Sequence, residues 1–415
     1  MLIRMTYGDG ELKVNIPDDR YGGVIEPAPH SIGDSSWGNM FEILRHYRLA
    51  EFLTGSQRVL IVVNDSFRST PSHLALRAIL PFLGQVPEVK VIIATGLHRT
   101  PSEAEIFEIV GEKFPVDKFE VLWSNARDDD QFVEFGLWQD GSPIRLHRSL
   151  QWADKVIVVG SVEPHYFAGF TGGPKSFMPG LAHHTTIEAN HRLAVSEACT
   201  PGSLVDNPVA RSIRDAASFL RRSAVFSIQF VLDSSKRLID SFVGDLWDSY
   251  ERAVAAAVRV YMVPIKRRYR LAVAVHSKPL DRNLYQLQKS YENASLAVED
   301  GGTLIVLSAC NEGIGNDAFF ELAKQYPTPE SILKVKPAGY SLGYHKLYRT
   351  AQQQKRINIY LKSELQDDIV ERVYLKPVHD VENVINSELE RFGEDTKVVV
   401  INDAGHVVPY LQQAA

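Results

Sequence analysis

Between Ser161 and Leu193 the chain carries four of its thirteen histidines, at 165, 183, 184 and 191. The same stretch holds Lys175 on a small-residue loop, Thr171-Gly172-Gly173-Pro174-Lys175-Ser176. Adjacent glycines permit unusual φ values and close approach of backbone to a ligand. A lysine beyond such a turn can meet phosphate, and a lysine amine can also act as a covalent nucleophile. The GxxxxGK[ST] spacing of a Walker A loop is absent. The spacing therefore leaves both chemistries open, beside the plainer reading of a solvated loop lysine. His184 and His191 lie seven apart, on one face if the segment is helical. Such a pair can ligate metal, although neither HExxH nor a Cys/His box is present. Each histidine alone reads equally well as a packing residue, and His183 and His184 need not both be functional. Four together beside a Gly-Gly-Pro-Lys loop favour function.

Two further clusters place polar side chains after apolar runs. His98 sits in Gly96-Leu97-His98-Arg99, where a neutral imidazole suits a general base near neutral pH and equally suits a helix cap. Asp65 and Arg68 follow Val59 to Val63. Arginine can hold a carboxylate bidentately, and an Asp cap beside a surface Arg is the ordinary alternative. Far downstream, Lys278-Pro279-Leu280-Asp281-Arg282-Asn283-Leu284-Tyr285-Gln286-Leu287-Gln288-Lys289 opens a helix after another apolar run. Gln286 and Lys289 share a helical face and could reach a small anion across a cleft; a solvated face has the same spacing.

The elements that must hold these groups alternate. Strands are expected at Val59 to Val63, Val89 to Ala94, Phe119 to Trp123, Lys155 to Gly160 and Val225 to Val231. Helices are expected at Met40 to Leu53, Ser72 to Phe82, from Thr100, from Asn207-Pro208 to Ser218, and Asp245 to Val263. The pattern restarts after the basic break Lys266-Arg267-Arg268-Tyr269-Arg270, with strands at Leu271 to Val275, Leu304 to Leu307, Ile357 to Leu361 and Lys397 to Ile401. Intervening helices fall at Asn283 to Val298 and near 315–325, 341–354 and 379–392. A hairpin around Gly8-Asp9-Gly10 and a loop over residues 18–37 precede all of this. The fold class is α/β: two α/β domains with mostly parallel sheets. Residues 1–265 would carry the lysine and histidines and residues 266–395 the anion-binding helix, with 396–415 able to return to the first domain. Asp65/Arg68, His98 and His165/Lys175 each follow a strand, and strand ends converging on one rim are where α/β sheets bind ligands.

Composition narrows the function. The 415 residues include 45 Lys plus Arg against 51 Asp plus Glu, a formal charge of -6. No basic excess exists for general nucleic-acid or membrane-surface binding. Two cysteines, Cys199 and Cys310, argue against a disulfide scaffold and cannot build a thiolate cluster. No signal peptide or membrane span is visible, so a cytoplasmic location is expected.

Five motifs in order, DxxR at Asp65/Arg68, GLHR at His98, EPHYFAGFTGGPKSFMPG, TTIEANH and PLDRNLYQLQK, resemble the nickel-pincer lactate racemase family over most of the chain. The resemblance implies a nickel-pincer nucleotide (pyridinium-3-thioamide-5-thiocarboxylic acid mononucleotide nickel), covalently bound at Lys175, with Asp65, Gly172 and Gly173 around it and His191 as the nickel ligand. It implies His98 and His165 as the catalytic acid/base pair, and Arg68, Tyr285, Gln286 and Lys289 as substrate-binding residues. Soft sulfur donors with one imidazole in a square plane suit Ni(II). The implied activity is a racemase or epimerase inverting C2 of a lactate-like 2-hydroxy acid by proton-coupled hydride transfer, through a 2-keto acid. Cofactor-maturation proteins are the implied transient partners. Closure of a hinge near 266–270 would exclude water.

Phe67 stands where Thr is common in this family's DxTR motif, and Ser290 follows Lys289 where a small apolar residue is frequent. Both departures bear on the substrate, and relatives act on malate, on longer or aromatic 2-hydroxy acids and on aldonates. Two rivals belong to other classes. One is a zinc-dependent hydrolase using His165, His184 and His191. The other is a nucleotide sensor needing only Gly172, Gly173 and Lys175.

Overall fold

The computed structural model describes every residue except 28–36, 234, 279, 336–340, 342 and 413–415. Among the described residues, twelve strands form two six-stranded sheets. In chain order they are β1 (Tyr21–Ile25), β2 (Arg58–Asn64), β3 (Glu88–Ala94), β4 (Glu120–Trp123), β5 (Lys155–Ser161), β6 (Val225–Leu232), β7 (Leu238–Asp245), β8 (Tyr269–Val275), β9 (Val298–Leu307), β10 (Asn358–Lys362), β11 (Lys376–Pro377) and β12 (Val398–Ile401). The first sheet runs β7-β6-β5-β2-β3-β4 and the second β11-β10-β9-β8-β12-β1. Only the β6–β7 pairing is antiparallel. The central strands read as unbroken apolar runs because both faces are covered. In β2, Val59, Ile61 and Val63 face one core layer, and Leu60 and Val62 the other.

The strand order reverses between β2 and β5 in the first sheet. Crevices open at such a point beyond the carboxyl ends of the strands. The loops after β2, β3 and β5 carry Asp65/Arg68, His98 and His165/Lys175, so the topology brings these residues to one rim. Four helices direct an end toward this rim: α1 (His184–Arg192), α2 (Leu284–Ala294), α3 (Asp317–Gln325) and α4 (Tyr344–Arg356). Asn283 caps α2, accepting from the Gln286 N–H at 3.0 Å, and Asn316 caps α3, accepting from the Phe319 N–H at 2.8 Å. Among the described residues no helix is long and apolar enough to cross a membrane.

Several expectations need correction. The chain start does not stay with the first sheet: β1, inside the expected 18–37 loop, pairs with β12 in the second. The hairpin Leu2–Tyr7/Gly10–Asn15 forms, and its Met5 and Val14 cover the second sheet with Ile16. In the last segment β12 belongs to the second sheet, while Val408–Leu411 pairs with Met262–Ile265 at the end of residues 1–265. That short strand cuts the Asp245–Val263 helix to Leu246–Tyr261. The Met40–Leu53 helix is two, Met40–His46 and Leu49–Leu53, because Arg48 takes a left-handed φ of 61°. The remainder of the 18–37 loop, residues 28–36, lies outside the described residues.

Candidate active site

A cavity of about 530 Å³ opens between the two sheets' loops. Asp65, Arg68, His98, His165, Gly172, Lys175 and His191 line it from the first domain, and Tyr285, Gln286 and Lys289 from α2. Residues far apart in sequence thus share one wall. His191 reaches it from the last turn of α1, the helix that starts at His184.

One phenyl ring organises the chemistry. The Phe167 centroid lies 4.6 Å from the His165 ring, 5.1 Å from His191 and 5.9 Å from Lys175 Nζ. Also on the cavity wall, His98 Nδ1 is 2.6 Å from Asp65 Oδ2, and its ring packs on Phe67 with centroids 4.3 Å apart. The Ala168 N–H donates to His165 Nδ1 at 3.3 Å. His191 Nδ1 is 3.1 Å from Asn190 Oδ1. In each of the three imidazoles Nδ1 is engaged by the protein and Nε2 is the nitrogen left over.

Electrostatics favour neutral bases here. Burial first, then the Arg68 and Lys289 charges, hold the Lys175 amine well below the usual lysine range. Burial and then Lys175 hold His165 well below its ordinary value. His191 is lowered to about 3 by burial and then by Lys175, Lys346 and His98. Lys289 is lowered to about 7, by burial and then by Arg68. These shifts share a cause: cations crowd a poorly hydrated space, which favours an incoming anion.

The glycine pair also serves the packing of its own loop. Gly172 has φ 78° and Gly173 φ 48°. A Cβ on Gly172 would stand 2.6 Å from Val162 Cγ2, and one on Gly173 would stand 2.5 Å from Tyr250 Cδ2. Gly173 is absent from the cavity wall, and its N–H donates to Gln229 Oε1 at 2.8 Å. The glycines let the Lys175 loop pack onto its own domain; Gly172 lines the cavity and Gly173 stands just behind it in the chain.

His183 and His184 are not part of the wall. His183 caps α1, its Nδ1 accepting from the Thr185 N–H, and packs on Phe132; its ring lies 4.3 Å from that of His184. Of the two family departures, Phe67 lines the cavity, whereas the fully buried Ser290 turns away to bond His276. Sequence reasoning does not find Phe167, His345 and Lys346, which complete the wall. The last two lie in the first turn of α4, and His345 packs on both Phe167 (5.2 Å) and His191 (5.3 Å). Their one signal is a His-Lys pair at a helix start, with no spacing to tie it to His191 or Lys175.

Comparison with known proteins follows the same division. A sequence model of the lactate racemase N-terminal domain matches residues 7–201, and one of the lactate racemase C-terminal domain matches residues 271–408. The chain belongs to the lactate racemase family. The lactate racemase of Lactiplantibacillus plantarum is 28% identical, over 98% of this chain and 99% of its own length. That of Thermoanaerobacterium thermosaccharolyticum is 26% identical, over 98% of both chains. The solved apoprotein of the latter superposes with a TM-score of 0.88 at 23% identity, covering 99% of this chain and 100% of its own. A crystal structure of a Thermotoga maritima protein has a TM-score of 0.73 at 19% identity, covering 92% of this chain and 100% of its own. This lactate racemase family member thus shares both halves of its fold with its relatives.

The zinc arrangement expected of a hydrolase is not formed. His184 stays off the wall, and among the described residues no three His, Cys, Asp or Glu side chains converge as metal ligands. Beside the Lys175 amine, which burial holds well below the usual lysine range, the site offers His191, an imidazole held through Nδ1. That donor set fits a metal carried by its own organic ligands and attached to the protein at a lysine, and does not fit a bare ion.

Proposed function

We propose that this chain is a 2-hydroxy-acid racemase or epimerase that uses a nickel-pincer nucleotide tethered at Lys175. The observation that carries the reading is the gathering of Lys175, His165 and His191 around the Phe167 ring, facing Arg68 and Lys289. Lys175 would hold the cofactor through a thioamide, for which a buried amine whose proton affinity is lowered is well suited. His191 would supply the fourth nickel position, and Gly172 and Asp65 would border the group. When bound, the cofactor supplies a site that accepts a hydride from C2 and returns it, so that the substrate passes through a planar 2-keto acid. Transient contact with cofactor-maturation proteins and a cytoplasmic setting belong to the same reading.

The residues of the chain do the rest. Arg68 and Lys289, with Gln286 and Tyr285 beside them, would hold the substrate carboxylate and so fix C2. His98 and His165 present Nε2 from separate strand ends, one toward the hydroxyl of each enantiomer; His165, whose Nδ1 accepts from the Ala168 N–H, carries its proton on Nε2 when neutral and would have to release that bond to take a hydroxyl proton there. Asp65 accepts from His98 Nδ1–H, which leaves Nε2 a lone pair for that proton. In the loaded complex the substrate carboxylate would counter the Arg68 and Lys289 charges that, after burial, act on His165, and this would favour the imidazolium that protonates C2–O. Closure about residues 266–270 would keep water from the exchanging hydrogen.

The test is Lys175→Ala produced alongside the cofactor pathway. Intact mass should show no adduct and chiral chromatography no racemisation. Covalent cofactor and turnover in that variant would overturn the reading. With C2-deuterated substrate, deuterium should remain at C2 through inversion.

A further inference from the structure

Phe67 stands in the loop after β2, and its side chain lines the cavity. The Asp65 carboxylate ties it to the imidazole in the loop after β3. Oδ1 accepts from the Phe67 N–H at 3.2 Å, and Oδ2 lies 2.6 Å from His98 Nδ1. A single hydrogen bond at Nδ1 leaves the imidazole free to swing about that bond, so it does not aim Nε2 by itself. The Phe67 ring blocks the swing on one face, with its centroid 4.3 Å from that of His98.

The same ring meets the second domain. Arg282 Cζ stands 5.1 Å from its centroid, and Arg99 Cζ, from the first domain, stands 5.8 Å away. Both guanidiniums are held in place. Arg99 makes two bonds of 2.7 Å to Glu105, one from each Nη. Arg282 Nε donates to Glu312 Oε1 at 2.7 Å, and the Arg282 carbonyl accepts from the Glu312 N–H at 2.7 Å. Arg282 directly precedes Asn283, the cap of α2, so its place follows that of Gln286 and Lys289 on the same helix. A shift of α2 against the first domain therefore changes the Arg282–Phe67 distance. The Arg282 side chain is 25% exposed. A lone cation–π contact with access to water is weak, which suits a contact made and broken in each turnover.

We propose that Phe67 is a positioning residue whose ring transmits the approach of α2, through Arg282, to the seating of the His98 imidazole. With α2 close, Arg282 supports the ring and the ring holds His98 against Asp65. With α2 withdrawn, the ring loses that support and His98 keeps Asp65 alone. One movement then sets both the carboxylate clamp on α2 and the imidazole in the loop after β3. The proposal rests on the racemase reading, in which His98 handles the hydroxyl proton.

In this scheme Arg282 reaches His98 only through Phe67, and that gives the test. The full chain, isotope-labelled in its histidine rings and free of cofactor, is compared by NMR as wild type, Arg282→Met, Phe67→Leu and the double variant. His98→Gln identifies the His98 signal. Arg282→Met should move that signal in the wild-type background and leave it in place in the Phe67→Leu background. A signal unmoved by Arg282→Met would overturn the proposal. Equal movement in both backgrounds would also overturn it, because charge alone would then carry the effect. If Phe67→Leu does not fold, the Arg282→Met spectrum decides alone. In the loaded enzyme, Phe67→Leu should lower kcat about tenfold and change KM less than about threefold, since Arg68 and Lys289 are intact. Phe67→Tyr keeps the ring and should stay within about twofold of wild type. The double variant should lose no more than Phe67→Leu alone. A raised KM with kcat unchanged would make Phe67 a wall of the substrate pocket and overturn the proposal. Loaded wild-type enzyme that inverts no 2-hydroxy acid would overturn the racemase reading, and with it the proton role given to His98. Absence of the spectral coupling in an active enzyme would overturn the Phe67 proposal alone.

Discussion

Asp65 Oδ2 lies 2.6 Å from His98 Nδ1, joining the loop after β2 to the loop after β3. Neither residue is informative alone, and each has an ordinary capping role in sequence. Paired, they set which nitrogen of the imidazole faces the cavity and give it a carboxylate that tolerates a positive ring.

The first prediction concerns that pair. Asp65→Asn keeps the shape but places an amide against Nδ1, which frees the ring to take the other tautomer. Turnover of the loaded enzyme should fall by about 10²- to 10⁴-fold, the range of a lost acid/base group. KM should move far less, because Arg68 and Lys289 still hold the carboxylate. Steady-state kinetics on both enantiomers provide the check. A kcat within about twofold of wild type would mean that His98 needs no orienting partner.

A second prediction uses the buried bridge between helices. Arg349 on α4 bonds both oxygens of Glu292 on α2 and donates to the carbonyls of Ala194 and Cys199 at 3.0 Å each. It therefore ties both second-domain helices to the segment following α1. Glu292 and Arg349 are 2% and 8% exposed, so solvent does not screen the pair. Arg349→Met leaves Glu292 buried and two carbonyls unsatisfied. Such losses cost about 3–5 kcal/mol, and urea unfolding should show a drop of that order. The double variant Glu292→Gln/Arg349→Met should recover part of it, since no charge is left uncompensated.

These two cases show what the sequence could and could not convey. The strands of the first sheet are legible because Val and Ile runs buried on both faces have few other fates. The convergence of Asp65, His98, His165 and Lys175 follows from the rule that α/β ligand sites gather at strand carboxyl ends. β1 is not legible because Tyr21-Gly22-Gly23-Val24-Ile25 follows Pro17, Asp18 and Asp19 and is rich in glycine; only pairing with β12 at the far end of the chain, in the register Val398↔Tyr21 onward, makes it a strand. Gly173 is ambiguous in sequence because a glycine needed to admit Tyr250 has the same local signature as one needed to admit a ligand. Phe167, His345 and Lys346 stay hidden because tertiary contact, and no periodicity, assembles that wall.

The glycine packing yields a third prediction. In Gly173→Ala the new methyl meets Tyr250 and the backbone must hold a left-handed φ of 48°. Overpacking alone costs about 1–3 kcal/mol, and the φ penalty adds to it. The melting temperature should fall, and the loop bearing Lys175 should shift. Covalent cofactor loading, read by intact mass, should drop even though Gly173 lies off the cavity wall. Full loading with a lowered melting temperature would show that the loop tolerates the displacement.

The last prediction concerns an imidazole outside the active site. His406 Nδ1 lies 3.0 Å from Asp403 Oδ1, and its Nε2 lies 3.8 Å from Glu163 Oε2 in the first domain. Burial pulls this ring down, but the two carboxylates outweigh burial and the opposing Lys289 charge and push it to about 9. Tyr261, Asp233, Lys236 and Lys278 border the same small cavity. The folded pKa exceeds the unfolded value of about 6.5, so the folded state binds the proton more tightly. The resulting stability is fully present below about pH 6.5 and is lost as pH rises through about 9. Wild-type stability should therefore decline between about pH 7 and pH 10 relative to His406→Asn, by up to about 3 kcal/mol. The wild-type and variant curves should run parallel above about pH 10. Denaturant melts at unit pH steps measure the difference directly, and a gap independent of pH would mean that His406 joins the domains as a neutral ring.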